Sequence, residues 1–192
     1  MANSYFINER IISNLYDSYL EIGVADGANF KNINIKNKIW VDPFPQNGVE
    51  PYGFCCTSDY FFKSIVPLHN YKFDLIFVDG WHEYRQCIRD ILNSLKILND
   101  MGMIIVHDTY PTLKEHTYQN SSTSFWTGDV WKAIVDIRMK RSDLIFITYP
   151  ISAGYTLITR GSGKILELDN SVESLTWEDY VENKDYYLNV QK

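Results

Sequence analysis

The side chains best suited to chemistry stand directly after short apolar runs of the sequence. Asp79 and His82 lie in "FVDGWH", and His107 and Asp108 lie in "IIVHDTYP". Imidazole and carboxylate groups are frequent proton acceptors in enzymes. Because open α/β sheets bind their ligands at the carboxyl ends of the strands, we expect the chemistry at the ends of these two runs.

A glycine-containing turn earlier in the chain indicates a ligand of a different kind. Glu21, Gly23 and Gly27 in "YLEIGVADGANF" form the pattern E-x-G-x-x-x-G, which is wider than the G-x-G-x-x-G turn that holds a pyrophosphate. Asp42 ends the next apolar run, in "IWVDP", where a carboxylate can accept both hydroxyls of a ribose. These residues favour a nucleoside cofactor without a diphosphate, although a plain strand-to-helix turn has the same glycine pattern.

The elements that must position these residues alternate between strand-like runs and helical periodicity. This alternation is typical of a mostly parallel sheet with helices on both faces. Six strands are predicted, at Tyr19–Val24, Lys38–Val41, Phe73–Val78, Gly102–His107, Leu144–Thr148 and Tyr155–Thr159. The sequence therefore predicts an α/β fold, in one domain that spans residues 1–192.

Two helices follow from the spacing of apolar residues. After "FVDGWH", helical spacing is shown by Tyr84, Cys87, Ile88, Ile91, Leu92 and Leu95. This pattern places Asp90 on the solvent side, and Gly102 is expected to admit the turn into the next strand. The second helix is predicted from Gly128 to Lys140. The polar and aromatic stretch from Thr109 to Thr127 is too long for an ordinary connection and predicts a functional lid or a flexible segment.

Composition excludes several classes of protein. The chain has 192 residues, 45% of them hydrophobic, which is enough for a sizeable core. Its net charge of -6, without a run of Lys or Arg, argues against a nucleic-acid partner. Three cysteines, two of them adjacent, do not suggest a disulfide framework, and no run approaches the roughly 20 apolar residues of a membrane helix. We predict a soluble, cytoplasmic protein without a membrane partner, and leave homo-oligomerisation open.

The motifs quoted above, together with "TSDYFF" and "GDVWKAI", resemble those of class I S-adenosylmethionine-dependent methyltransferases. Within that class the chain is similar to the macrocin-type sugar O-methyltransferases and to small bacterial methyltransferases like them. The similarity runs from about Tyr19 to Ile137, with a fainter echo in "TWEDYVENKDYYLN". It implies a Rossmann-like, doubly wound sheet of about seven strands, in which "LIFITYPISAGYTLITR" forms an antiparallel closing hairpin.

The resemblance also implies the residues that bind S-adenosylmethionine. They are Glu21, Gly23 and Gly27 for the methionine part, Asp42 for the ribose, Ser58 and Asp59 near the adenine, and Asp79. A sulfonium is cationic, so a pocket that offers carboxylates is electrostatically suitable. The pair Ser58-Asp59 is also a good start for a helix, as its N-cap.

Catalytic and metal-binding roles are implied in the same way. In the sugar O-methyltransferases that the chain resembles, an aspartate at the Asp79 position and an acidic pair after the next strand hold a divalent cation, and a histidine at the His82 position is the general base. We therefore predict Asp79, His82 and Asp108 as catalytic residues, and Asp79, His107 and Asp108 as ligands of a cation such as Mg²⁺. His107 departs from the acidic pair, and a nitrogen ligand favours softer ions or no metal.

The base assignment rests on where His82 stands. It directly precedes a predicted helix, whose positive end should keep the imidazole neutral and able to accept a proton. The alternative is a histidine that only caps the helix. Nearby aromatic residues are predicted either to contact the acceptor or to plug loops onto the core, and these are Trp81, Tyr110, Tyr118, Phe125 and Trp126.

The predicted function is O-methylation of a small hydroxylated acceptor, such as a sugar or a glycan precursor. Two alternatives belong to other classes. An NAD-dependent oxidoreductase would use the same kind of sheet, but the missing G-x-G-x-x-G counts against it. A protein that binds S-adenosylmethionine without catalysis is the other, because His107 replaces an acidic residue of the resembling enzymes.

Overall fold

The computed structural model describes residues 3–46, 49, 52–118 and 125–191. The α-helices are α1 (Asn3–Asn14), α2 (Ala28–Lys31), α3 (Ser58–Tyr60), α4 (Val66–His69), α5 (Tyr84–Ile97), α6 (Val130–Lys140) and α7 (Trp177–Leu188). A π-helical turn, Phe61–Ile65, joins α3 to α4, and 3₁₀ turns lie at Lys114–Thr117 and Val172–Ser174. The strands are β1 (Ser18–Ile22), β2 (Asn37–Val41), β3 (Gly53–Phe54), β4 (Phe73–Val78), β5 (Leu98–His107), β6 (Leu144–Tyr149) and β7 (Tyr155–Arg160).

The strands form one seven-stranded sheet in the order β3-β2-β1-β4-β5-β7-β6. Strand β1 pairs in parallel with β2 and β4, and β2 pairs in parallel with β3. Strands β6 and β7 are antiparallel, from Leu144 opposite Arg160 to Tyr149 opposite Tyr155. The predicted Rossmann-like sheet with an antiparallel closing hairpin is confirmed.

Two details of the predicted elements around α5 are wrong. Gly102 does not turn the chain into β5, because β5 already begins at Leu98, directly after α5. A Cβ at Gly102 would lie 2.8 Å from the Asp74 carbonyl oxygen, so this glycine allows a close approach inside the sheet. Asp90 is 1% exposed and therefore does not face solvent. Its Oδ2 would lie 3.8 Å from a Cβ on Gly80, so the absence of a side chain at Gly80 leaves space beside the Asp90 carboxylate.

The chain forms two compact units. The first comprises Met1–Trp81 and Arg89–Ile104. Its core contains β1, in which Tyr19, Leu20 and Ile22 are buried, and the buried Phe30 of α2. Burial of one such side chain contributes about 1.5–3 kcal/mol, so the turn after β1 begins on a rigid strand.

The second unit comprises His82–Ile88 and Ile105–Lys192. The inward face predicted for α6 is confirmed, since Val130, Trp131, Ile134, Val135 and Ile137 are all buried. The Trp131 ring packs 4.8 Å from the ring of Tyr180 in α7, and the Tyr180 hydroxyl donates to the Pro111 carbonyl at 3.0 Å. Helix α7 thereby fixes the start of the segment that follows β5.

Within the part of the chain that the structure describes, no helix is both long and apolar enough to cross a membrane. The predicted single domain over residues 1–192 and the predicted cytoplasmic location stay predictions.

Candidate functional site

The glycine turn leaves β1 in a backbone conformation that few residue types adopt. Gly23 and Gly27 have φ angles of +88° and +74°, and Ala25 between them has +45°. A Cβ on Gly23 would lie 2.0 Å from the carbonyl oxygen of Asp79. Gly23 therefore meets two requirements at once, a left-handed backbone and a close approach to the chain after β4.

The Asp42 carboxylate holds this turn in place. Its Oδ2 accepts the backbone N–H groups of Val24 and Ala25, each at 3.0 Å, and its Oδ1 accepts the N–H of Phe44 at 2.7 Å. Sequence reasoning missed this structural role. A carboxylate offers about four lone-pair positions, so three backbone bonds leave room for one more donor, and the role on a ribose stays a prediction.

Glu21 lies at the centre of a buried polar cluster in β1 and α2. Its side chain accepts the Tyr19 hydroxyl at 2.6 Å and the Asn29 amide at 2.9 Å. Burial is the largest cause of the raised pKa of Glu21, about 8; the Tyr19 hydrogen bond opposes this shift, and the charge of Asp79 adds to it. The carboxyl is therefore mostly protonated at neutral pH.

Asn29 completes this cluster. Its Oδ1 is buried and has no hydrogen-bond partner among the described residues. A buried acceptor without a donor is costly, and a ligand N–H would remove the cost. Tyr19 and Asn29 were not predicted; the one sequence signal for Asn29 is a polar residue directly after the glycine turn.

Ser58 and Asp59 stand at the start of α3. The N-cap of this helix is Thr57, whose side chain accepts the N–H of Tyr60 at 3.2 Å, so the cap predicted for Ser58-Asp59 is displaced by one residue. Asp59 forms an ion pair with Arg89 at 3.4 Å, and both side chains are about half exposed. Such a pair contributes little to stability, and the predicted adenine contact of both residues stays a prediction.

Asp79 is the first residue after β4. Its backbone N–H donates to the Ile22 carbonyl at 2.9 Å, which continues the pairing of β1 with β4. Its Oδ2 accepts the side-chain amide of Asn3 at 3.5 Å. Asn3 opens α1, and no pattern in the sequence indicated that α1 begins beside this carboxylate.

In the second unit, the His82 ring is held between two acceptors. Its Nδ1 lies 2.6 Å from the Trp126 carbonyl oxygen, and its Nε2 lies 3.1 Å from Asp108 Oδ2. Because a carbonyl oxygen only accepts, Nδ1 carries a hydrogen. The N–H of Tyr84, the first residue of α5, donates to Asp129 Oδ1 at 2.6 Å.

His107 approaches the same carboxylate from the end of β5. Its Nε2 lies 2.8 Å from the Ser152 carbonyl oxygen, its Nδ1 lies 3.4 Å from Asp108 Oδ2, and its ring packs 4.9 Å from that of Tyr155. The structure thus brings together three of the predicted residues, His82, His107 and Asp108.

The His82 Nε2 atom faces the Asp108 carboxylate. A neutral ring that donates to Trp126 would turn the Nε2 lone pair towards the Asp108 carboxylate, and two electron-rich atoms repel each other. A proton or a cation between them removes this repulsion. The neutral ring expected from the helix start stays a prediction.

The segment after β5 reaches back to His82. The Trp126 ring lies 5.1 Å from the His82 ring, and the Phe125 ring is edge-on to His116 at 4.7 Å. The carbonyl oxygen of His116 accepts the backbone N–H groups of Thr127 at 2.8 Å and Gly128 at 3.2 Å. The predicted lid includes residues 119–124, which lie outside the described residues.

Residues 20–109 match the family model Methyltransf_24, described as a methyltransferase domain. This stretch is therefore similar to a methyltransferase domain. The matched residues include the glycine turn, Asp42, Asp79, His82 and Asp108. No curated protein sequence matches the chain.

Several solved methyltransferase structures share the fold of this chain. The methyltransferase PaMTH1 of Podospora anserina, bound to S-adenosylhomocysteine, has a TM-score of 0.59 at 18% identity, over 83% of this chain and 78% of its own. The O-methyltransferase TomG of Streptomyces achromogenes, in complex with S-adenosylmethionine, has a TM-score of 0.61 at 12% identity, over 83% and 79%. MycE of the mycinamycin pathway, with Mg, S-adenosylhomocysteine and mycinamycin VI, has a TM-score of 0.55 at 11% identity, over 87% and 51%.

Proposed function

We propose that this protein is a methyltransferase that uses S-adenosylmethionine to methylate a hydroxyl group of a small acceptor. The observation that carries the proposal is the contact of His82 Nε2 with Asp108 Oδ2 at 3.1 Å, directly after β5. O-methylation requires a group that takes the hydroxyl proton, and an imidazole paired with a carboxylate is such a group.

The residues around the glycine turn fit S-adenosylmethionine. The buried Asn29 Oδ1 is an acceptor that suits the ammonium of its methionine part, and the charge of that ammonium would favour the ionised form of Glu21. The turn lacks the glycine spacing that a pyrophosphate requires. When bound, the cofactor supplies an electrophilic methyl group on a cationic sulfur. We assign Asp42 to the ribose, and Ser58 and Asp59 to the neighbourhood of the adenine.

His82 and Asp108 act as one proton-accepting unit in this mechanism. Trp126 fixes the ring through Nδ1, so Nε2 has a fixed direction. A proton that reaches Nε2 is stabilised by the charge of Asp108, which favours its removal from the acceptor hydroxyl.

A divalent cation is the second means of activating the hydroxyl that we propose, with Asp79, His107 and Asp108 as ligands. His107 donates its far N–H to a backbone carbonyl, as metal-binding histidines commonly do. The nitrogen ligand favours Mn²⁺ or Zn²⁺ over Mg²⁺. A bound cation would lower the pKa of the acceptor hydroxyl and orient it.

We propose a sugar or a glycan precursor as the acceptor. This rests on the resemblance to the sugar O-methyltransferases, on the mycinamycin VI held by MycE, and on the aromatic face of Trp126 beside His82. Nucleic acid is not a proposed partner, because the net charge is -6.

The test is methyl transfer from labelled S-adenosylmethionine to sugar nucleotides, methyl glycosides and pyrocatechol, with Asp108→Asn as the matched inactive control. We expect a labelled methyl ether and one S-adenosylhomocysteine for each methyl transferred. Tight binding of S-adenosylmethionine without product from any of these acceptors would favour the binding-protein alternative. Calorimetric binding of NAD in place of S-adenosylmethionine would favour the oxidoreductase.

A further inference from the structure

His116 is joined to His82 through one short segment, residues 125–128. The His116 carbonyl oxygen accepts the N–H groups of Thr127 and Gly128, and also the Thr127 hydroxyl at 3.1 Å. His82 donates to the carbonyl of Trp126, in the same segment. A Cβ on Gly128 would lie only 1.7 Å from the His82 carbonyl oxygen, so Gly128 packs directly on the His82 backbone. His116 and His82 therefore both contact residues 126–128, although they are 34 positions apart in the chain.

The imidazole of His116 carries a polar atom with no function in the fold. Its Nδ1 is buried and has no hydrogen-bond partner among the described residues. The ring is held edge-on to Phe125 at 4.7 Å, and three hydrogen bonds to the carbonyl fix the backbone. A buried nitrogen that is held rigidly but not hydrogen-bonded weakens the fold, so a partner from outside the chain would be favourable.

We infer that His116 is a specificity-determining residue whose Nδ1 hydrogen-bonds a hydroxyl group of the acceptor. This inference rests on the proposed function, which it deepens. His82 takes the proton of the reacting hydroxyl, and His116 holds a second polar group of the same molecule. The site therefore selects acceptors that carry at least two hydroxyls over those that carry one. Recognition of this kind discriminates strongly, because an acceptor without the second hydroxyl leaves the buried nitrogen unsatisfied.

The experiment compares three variants at one position. An asparagine side chain places a polar atom near the position of Nδ1, and a glutamine places it near Nε2. With pyrocatechol and methyl α-L-rhamnopyranoside as acceptor probes, His116→Ala and His116→Gln should raise the acceptor KM at least about tenfold, with kcat little changed. His116→Asn should restore most of the loss. The affinity for S-adenosylhomocysteine, measured by calorimetry, should be the same in all three.

Thr127→Val is the control for a purely structural role, because it removes one bond to the His116 carbonyl and leaves the ring unchanged. An equal rise in KM for this variant would assign the effect to the backbone and overturn the inference, as would a wild-type KM in His116→Ala. In either case methylation by the wild type would leave the proposed function standing. If the wild type methylates neither probe nor any acceptor of the wider set, the proposed function fails, and the inference fails with it.

Discussion

Asp108 has a left-handed backbone, with φ at +59°, although it is not a glycine. A conformation of this kind costs on the order of 1 kcal/mol or more and persists where the surroundings determine it. Here the surroundings are His82 and His107, both of which face Oδ2 of its nearly buried carboxylate. The strain therefore coincides with the contact that the proposed mechanism requires.

His82→Ala removes the proposed proton acceptor. We expect turnover to fall by about 10²–10⁴, the usual range for a positioned base, with little change in cofactor affinity. The matched control is His69→Ala, since His69 lies in α4, stacked on Tyr71. Steady-state kinetics and calorimetry with S-adenosylhomocysteine check both values. Full activity of His82→Ala would remove the base assignment.

Glu21 makes stability depend on pH. Its pKa rises from 4.5 to about 8 on folding, so between these values the folded protein binds a proton that the unfolded chain has lost. Stability is therefore highest below pH 4.5 as far as this group is concerned, and falls as the pH rises towards 8. The loss is on the order of 4–5 kcal/mol at most.

Urea unfolding at pH 5 and pH 8 measures this dependence. Glu21→Gln keeps the shape and cannot ionise, so the difference in stability between the two pH values should shrink by several kcal/mol relative to the wild type. An unchanged pH dependence in Glu21→Gln would show that Glu21 is ionised in the folded protein.

The proposed cation is tested by its removal. We expect EDTA to lower wild-type turnover about as much as Asp79→Asn does, and to leave Asp79→Asn unaffected, because both remove the same activation of the hydroxyl. Asp100→Asn is the control, since Asp100 is an exposed carboxylate in β5. Mn²⁺ should restore the EDTA-treated enzyme. Full activity in EDTA would instead make Asp79 and Asp108 direct acceptors of the substrate hydroxyl.

The helices and strands that were predicted best are those with a clear local pattern of apolar residues. Strand β4 has the predicted bounds, Phe73–Val78, because its residues are apolar except for Asp74, and such a run marks a strand buried on both faces. Strand β3 was missed, because two residues carry no periodicity. The first residues of β5 were missed as well, since "LND" reads as a turn.

The candidate site shows the same limit. Glu21 was predicted from the glycine pattern, and Asp42, Asp79, His82 and Asp108 were predicted from their places at or after the ends of apolar runs. Their partners were not found, because they come from distant segments and in part through backbone atoms. The Trp126 carbonyl lies 44 residues from His82, and a carbonyl group is common to all residue types.

The turn after β1 is an element whose geometry permits a direct test. Gly23→Ala would force a Cβ into the Asp79 carbonyl at a left-handed position, and we expect a loss of about 2 kcal/mol or more in stability, with S-adenosylmethionine binding abolished. Gly80→Ala is the control, since its Cβ would meet only ordinary contacts, at 3.4 Å or more. Equal stability of the two variants, by urea unfolding, would show that the turn adjusts freely.

For the whole molecule, the two compact units share two elements. The boundary between them runs through α5, after Ile88, and through β5, after Ile104. A helix and a strand form or melt along their length because neighbouring residues share the same hydrogen-bond ladder. The chain therefore passes from one unit to the other inside a helix and inside a strand.

We accordingly expect a single cooperative unfolding transition, as the predicted single domain requires. In scanning calorimetry the calorimetric and van't Hoff enthalpies should agree, and circular dichroism and tryptophan fluorescence should report one midpoint. The first unit contains Trp40 and Trp81, and the second contains Trp126, Trp131 and Trp177. Variants in which all tryptophans of one unit are replaced by phenylalanine therefore let the fluorescence report the other unit alone. Two midpoints that differ between these variants would mean that the units unfold independently, and the single-domain prediction would then be wrong.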